Sequence, residues 1–213
     1  MTYLLLLCIL IFPASAAAQD AIGVKYVIDG DTVVLENNRH VRYIGIDAPE
    51  IFYKNNMAQP FGYAARDYNQ KLVKDQKVYL SYGRQKLDAY GRSLAYVYDM
   101  DKRFINRLML LKGYAYCLYL PPNIRYHVLL LKAQQTAMNE RIGIWAHAVA
   151  DEKTFIGNMQ TKRFHLPTCP FGKRTAKRNR IEFKSHWDAF WEGYAPCKRC
   201  LSLEQLTRMP AVP

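Results

Sequence analysis

Between Val27 and Glu50 the chain reads VIDGDTVVLENNRHVRYIGIDAPE, with Asp29, Asp31, Asp47 and Glu50 at the two ends of a β-branched stretch and Arg42 between them. Carboxylates brought together repel, so such a grouping calls for a cation or a catalytic task. If Asn37-Asn38, or the longer stretch 37–40, is a hairpin turn, Glu36 falls near Arg39 to Val41 and Asp31 lies opposite Ile44 to Ile46. Asp31 and Asp47 then finish at the same end of the hairpin. Two carboxylates with a neighbouring backbone carbonyl make a hard-oxygen donor set, suited to Ca²⁺ or Mg²⁺ rather than to zinc. Taken singly, each acid has a plainer role: Asp29-Gly30-Asp31 as a turn, Asp47 as the end of a strand. The conjunction with Pro49-Glu50 and Arg42 is what points to chemistry.

A second constellation lies near the C-terminal end, in FHLPTC at 164–169 and PCKRC at 196–200. His165-x3-Cys169 with Cys197-x2-Cys200 is a closed set of four nitrogen and sulfur ligands at zinc-like spacing, and therefore structural rather than catalytic. A disulfide is the alternative in an exported chain, but three clustered cysteines leave one unpaired unless distant Cys117 joins them. His127, His147 and His186 have no comparable setting and are expected as surface or hydrogen-bonded core residues.

The elements that must position these residues follow from hydrophobic patterning. Gly23–Ile28, Thr32–Glu36 and His40–Ile46 are rich in Val, Ile and Tyr and broken by turn signals, which predicts a three-stranded meander. A helix is expected over YAARDYNQKLV, then strands at VYLSYG and SLAYVYD around Asp88-Ala89-Tyr90-Gly91-Arg92, then helices over Phe104–Lys112 and Tyr126–Glu140. Five strands with a helix after the third is the order of a small OB-type β-barrel, so the fold class is α+β.

The chain has 213 residues and a formal net charge of +12, which favours polyanionic partners, nucleic acid first and an anionic envelope surface second. Residues 20–147 carry 18 basic and 12 acidic side chains, and residues 151–213 carry 12 and 6. We place a barrel domain at 20–147 and a smaller zinc-binding α+β module at 153–203, with the boundary among residues 146–153. Residues 1–18 are uncharged, with a run from Leu4 to Phe12 that is too short to span a bilayer, then Pro13 and small residues. They read as a secretory signal peptide, predicting a secreted or periplasmic product without stable membrane insertion after cleavage. A monomer is expected.

DGDT at 29–32, Arg42, DAPE at 47–50 and DAYGR at 88–92 resemble the staphylococcal (micrococcal) nuclease family, over roughly residues 22–146. The resemblance implies an OB-type barrel with three helices that hydrolyses DNA and RNA phosphodiesters with little sequence preference, using Ca²⁺ and leaving 3′-phosphates. It implies Asp31 and Asp47 as calcium ligands, joined by the main-chain carbonyl of Ala48, where the family commonly has threonine. Glu50 becomes the general base that orients or deprotonates water, and Arg42 and Arg92 the clamp on the phosphate. Tyr116 and Tyr119 resemble the family's nucleotide-contacting tyrosines, although their spacing differs and core packing is an equal alternative.

These residue types suit that reaction. A phosphodiester repels hydroxide until its charge is neutralised, and its transition state carries more negative charge than its ground state. The tail, with GYAPCKRC before its last cysteine pair, is similar to the zinc-binding domain of the DNA repair protein Ada. There a cysteine that accepts methyl groups stands at the first ligand position. His165 stands there in this chain, so methyl transfer is not expected. The charge and motifs also admit a noncatalytic nucleic-acid-binding protein on the same barrel, or an adhesion module for anionic envelope polymers. The first leaves five coordinated site residues without a task, and the second leaves the acids unexplained.

Overall fold

The computed structural model describes residues 20–52, 57–147 and 153–207, so the expected signal peptide lies outside the described residues. Five strands close into a barrel: β1 (Ile22–Val27), β2 (Thr32–Leu35), β3 (His40–Tyr43), β5 (Lys77–Leu87) and β6 (Ser93–Tyr98), in the order β1-β2-β3-β6-β5. β3 and β6 run parallel, while the other neighbours are antiparallel. With helix α1 (Gly62–Val73) after the meander, this is the OB-type α+β barrel expected from the sequence. Val24, Val33, Leu35, Val41, Tyr43, Val78, Leu80, Ala95 and Val97 fill its interior. They recur largely at every second position because a strand alternates its faces.

The hairpin register differs from the sequence expectation. Thr32 pairs with Arg42 and Val33 with Val41, so Asp31 faces Tyr43, whose N–H donates to the Asp31 carbonyl at 2.8 Å. The turn closes between Leu35 and Arg39 with Asn38 left-handed (φ 63°), and Glu36 bonds back to Gly23 instead of pairing across the hairpin. The run His40–Ile46 is also not one strand. Gly45 at φ +81° breaks it, a conformation that side chains with a Cβ rarely adopt, and residues 46–47 become β4. β4 pairs with β7 (Tyr116–Cys117), setting Asp47 opposite Tyr116.

Helices α2 (Ile105–Leu111) and α3 (His127–Asn139) complete the barrel region. Two buried asparagines tie helices to strands: Asn69 of α1 donates to the Asp29 carbonyl (2.9 Å), and Asn106 of α2 donates to the Ile44 carbonyl (2.8 Å). Such fully buried amides persist because both ends are bonded, Asn69 accepting from Tyr43 and Asn106 from the Val97 N–H.

The C-terminal module has a four-stranded sheet in the order β10-β8-β9-β11, made of β8 (Phe155–Asn158), β9 (Arg163–His165), β10 (Arg180–Phe183) and β11 (Ala195–Pro196). Short helices α4 (Pro170–Lys173), α5 (His186–Trp191) and α6 (Leu203–Thr207) pack with it. The composition of the chain divides near residue 150, but its packing does not. Tyr116, Ala137, Met138, Ile144 and Trp145 share one apolar cluster with Phe155, Phe164, Phe183, Phe190 and Tyr194. Buried Gln134 of α3 accepts from the Cys117 N–H and donates to the Phe190 carbonyl, both at 2.6 Å. No helix among the described residues is long and apolar enough to cross a membrane.

Candidate active site

The Asp29–Asp31 turn is built by its own first side chain: Asp29 Oδ1 accepts the Asp31 N–H at 2.9 Å. Gly30 lets this turn lie against its neighbours, since a Cβ there would stand 2.6 Å from the Ala48 Cβ and 2.8 Å from that of Ala65. The turn and the start of DAPE therefore touch. Asp31 Oδ2 accepts the Ala48 N–H at 2.6 Å, and Oδ1 accepts the Thr32 hydroxyl at 3.0 Å.

Arg42 spans the two acids. Its Nη1 lies 2.7 Å from Asp31 Oδ2 and its Nη2 2.6 Å from Asp47 Oδ1, with Nη1 also donating to the Ile46 carbonyl at 3.0 Å. The planar fork of guanidinium makes this double contact possible, where an ammonium offers a single charged point. Asp47 is further bonded through Oδ2 by the Tyr116 hydroxyl at 2.7 Å. Glu50 sits at the edge, its backbone held by Gln59: the Glu50 N–H donates to Gln59 Oε1 (3.0 Å) and the Glu50 carbonyl accepts from the Gln59 N–H (2.8 Å).

The electrostatics follow from burial and charge. Burial pushes the Asp31 carboxyl above its ordinary value, with Arg42 opposing and Asp29 and Asp47 adding to the rise. Burial acts on Asp47 in the same sense, but Lys198, Arg42 and the Tyr116 hydroxyl outweigh it and hold that carboxyl below its ordinary value. Burial also raises Glu50, against the pull of Lys198. Arg42 loses solvation, yet Asp31 and Asp47 keep its charge more than secure. Two buried carboxylates that share one guanidinium, one of them with its acidity suppressed, form an oxygen set that an added divalent cation would complete. The donor chemistry thus fits Ca²⁺ or Mg²⁺ at Asp31 and Asp47.

The structure brings together Asp31, Arg42, Asp47, Ala48 and Glu50. Tyr116 joins them, but through its hydroxyl on Asp47 and with its ring against Phe190. Tyr119 sets its ring on His127, 5.0 Å between centroids. Arg92 lies on the β5–β6 connection, where its Nε donates to Asp88 Oδ2 at 2.7 Å and its guanidinium lies 5.6 Å from the Tyr90 ring centre. Arg92 precedes β6 by one residue, and the parallel β3–β6 ladder pairs Arg42 with Leu94, two residues further along.

A cavity of about 330 Å³ adjoins the acids, lined by Glu50, Gln59 and Tyr116 from the barrel region and by Pro196, Lys198, Leu201 and Leu203 from the C-terminal module. Lys198 is the participant that sequence reasoning missed. Its Nζ lies 3.1 Å from Asp47 Oδ2 and 3.2 Å from Glu50 Oε1. It stands 151 residues from Asp47 in the chain, and no local pattern announces the contact. Gln59 and Asn69 were missed for the same reason.

In the module, the parallel pairing of Pro196 with Phe164 carries Cys197 alongside His165. The Cys197 N–H donates to the Phe164 carbonyl (2.9 Å), and the Cys197 carbonyl accepts from the N–H groups of Cys200 (3.1 Å) and Leu201 (3.0 Å). One ligand atom from each of His165, Cys169, Cys197 and Cys200 lies within 4.8 Å of the others, and all three thiols are free. Zinc–sulfur bonds of about 2.3 Å put sulfurs about 3.8 Å apart around a tetrahedron, so the set suggests zinc. Burial lowers the basicity of His165, keeping the ring neutral as a ligand must be. The Cys169 thiol is depressed despite its burial, through the N–H groups of Gly172 and Phe171 and the neighbouring sulfurs.

Comparison with known proteins finds two family matches. Residues 40–147 match the staphylococcal nuclease homologue family, and residues 145–202 match the metal binding domain of Ada. Among curated relatives, a thermonuclease of Staphylococcus intermedius is 40% identical over 125 residues, 57% of this chain and 74% of the relative. A thermonuclease of Staphylococcus hyicus is 35% identical over 136 residues, 62% of this chain and 80% of the relative. The endonuclease YncB of Bacillus subtilis is 36% identical over 124 residues, 56% of this chain and 58% of the relative.

Proposed function

Because the chain belongs to the staphylococcal nuclease homologue family, we propose that it is a metal-dependent endonuclease that hydrolyses DNA or RNA phosphodiester bonds with little sequence preference. The observation that carries the reading is the convergence of Asp31, Arg42, Asp47 and Glu50 at one end of the barrel, beside an open cavity. Asp31, Asp47 and the Ala48 carbonyl would hold the catalytic Ca²⁺, which supplies charge neutralisation at the scissile phosphate. Glu50, anchored at its backbone by Gln59, takes the proton of the attacking water. Arg92, with its Nε on Asp88, presents its terminal N–H donors to the phosphate, and Arg42 sets the geometry of the two ligand carboxylates. The family resemblance supports 3′-phosphate products.

His165, Cys169, Cys197 and Cys200 hold a structural zinc in this reading, and the module adds affinity for nucleic acid. Exposed Lys173, Arg174, Lys177 and Arg178 lie close together in its sequence, and the guanidiniums of Arg174 and Arg199 lie 4.8 and 4.9 Å from the centre of the Phe171 ring. A cationic, aromatic surface of this kind tracks a phosphate backbone. Export from the cytoplasm and action as a monomer complete the proposal.

The test is incubation of purified protein with plasmid DNA and with RNA, with and without Ca²⁺. Ca²⁺-dependent cleavage is expected, with Glu50→Gln and Arg92→Ala each reducing turnover by about 100-fold or more while the fold persists. Cleavage at the wild-type rate by Glu50→Gln would show that another group activates water.

A further inference from the structure

Lys198 ties the C-terminal module to the acids of the barrel at the two positions that matter most. Its Nζ contacts both oxygens of Asp47, at 3.2 Å (Oδ1) and 3.1 Å (Oδ2), and Glu50 Oε1 at 3.2 Å. One ammonium thus bridges a carboxylate read as a metal ligand and the carboxylate read as the general base.

We propose that Lys198 is a resident cation of the nuclease site, which orients Glu50 and competes with the catalytic divalent ion for Asp47. The proposal rests on the reading of Asp47 as a cation ligand. A Ca²⁺ bound to Asp47 would sit about 2.3–2.6 Å from a carboxylate oxygen. An ammonium already about 3 Å from both oxygens of that group lies within a few ångströms of any such ion. Two cations that close repel, and each weakens the other's hold on the shared carboxylate.

The delivery of Lys198 is not accidental to the fold. It is the residue after Cys197 and two before Cys200, in a turn closed by the N–H groups of Cys200 and Leu201 on the Cys197 carbonyl. The His/Cys cluster therefore sets the backbone from which the side chain departs. The side chain itself reaches solvent. It is 54% exposed, against 2% for Asp47, so it can withdraw into solvent when a divalent ion arrives. A lysine suits that part, being a compact charge on a flexible stem. The metal-binding module is in this view a contributor to the active site, and its occupancy is coupled to the site's affinity for catalytic metal.

The experiment is calorimetric titration of the full-length mature, zinc-loaded protein with Ca²⁺, for wild type, Lys198→Ala, Lys198→Arg and Asp47→Asn. Lys198→Ala is expected to bind Ca²⁺ about tenfold more tightly than wild type, with unchanged zinc content and a lower melting temperature in calcium-free buffer, and Lys198→Arg to stay near wild type. By reciprocity, saturating Ca²⁺ should raise the acylation rate of Lys198 in wild type, read by mass spectrometry. Equal or weaker Ca²⁺ affinity in Lys198→Ala overturns the proposal. If Asp47→Asn at the same time abolishes binding, the metal reading of Asp47 stands and only the role of Lys198 falls. If Asp47→Asn binds Ca²⁺ like wild type, or no variant binds it, both fall together.

Discussion

Arg42→Ala should cost the protein much of its stability as well as its activity. The side chain is 11% exposed and faces two nearly buried carboxylates at 2.7 and 2.6 Å. Breaking a buried ion pair by removing one partner costs about 3–5 kcal/mol, because the remaining charge stays buried. Lys198 continues to neutralise Asp47, whereas among the described residues Asp31 retains the Ala48 N–H and the Thr32 hydroxyl. That places the loss near the lower end, about 3 kcal/mol, a large share of the ~5–15 kcal/mol that holds a typical domain. With a urea m-value of about 2 kcal/mol/M, the unfolding midpoint should fall by about 1.5 M in calcium-free buffer. Adding Asp31→Asn to the variant should recover much of the loss, since it removes the charge left without its guanidinium. Calcium should narrow the gap by the same logic, because it neutralises the same oxygens. A midpoint shift under about 0.3 M, at unchanged m, would refute the claim that Arg42 holds this site together.

Further outcomes follow from other contacts. Tyr116→Phe removes the 2.7 Å bond to Asp47 and should cost about 1.5–3 kcal/mol in urea unfolding, with a weaker Ca²⁺ requirement as the visible sign that Asp47 has been released. Burial pushes the Cys117 thiol up to about 12, so the native protein should resist alkylation there at pH 8.5 while the urea-unfolded chain reacts. Because the folded state then binds the proton that the unfolded state releases, this thiol contributes stability that is full below about pH 8.5 and is lost as pH rises toward 12, measurable as a falling urea midpoint. Truncation near residue 150 removes the cover of Tyr116, Met138, Ile144 and Trp145 and the carbonyl partners of Gln134 and Gln135. Each large apolar side chain is worth about 1.5–3 kcal/mol of burial, so the truncated chain should melt well below the full-length protein.

How much of this was legible in the sequence depends on how local each signal is. The strands of the barrel, its three helices and the His165–Cys200 ligand set all announce themselves through alternation, helical spacing or short-range ligand spacing. These depend on the backbone periods of strand and helix and on ligand geometry within a turn. The grouping of Asp31, Arg42, Asp47 and Glu50 was legible for the same reason, since 20 positions hold all four within one hairpin and its exit. The register was less so: nothing local requires that Asp31 face Tyr43, and the choice fell to the left-handed conformations of Asn38 and Gly45 and to the pairing of β4 with β7. Lys198 was not legible at all. In sequence it is a spacer between two cysteines. Its place between Asp47 and Glu50 depends on the packing of the C-terminal module against α3 through Trp145, Phe164 and Phe190, a hydrophobic contact with no period and no motif. Chain-local chemistry thus determined which groups the protein has to work with. Tertiary packing decided which charge meets which, because ion pairs form between whatever surfaces the burial of apolar area brings together.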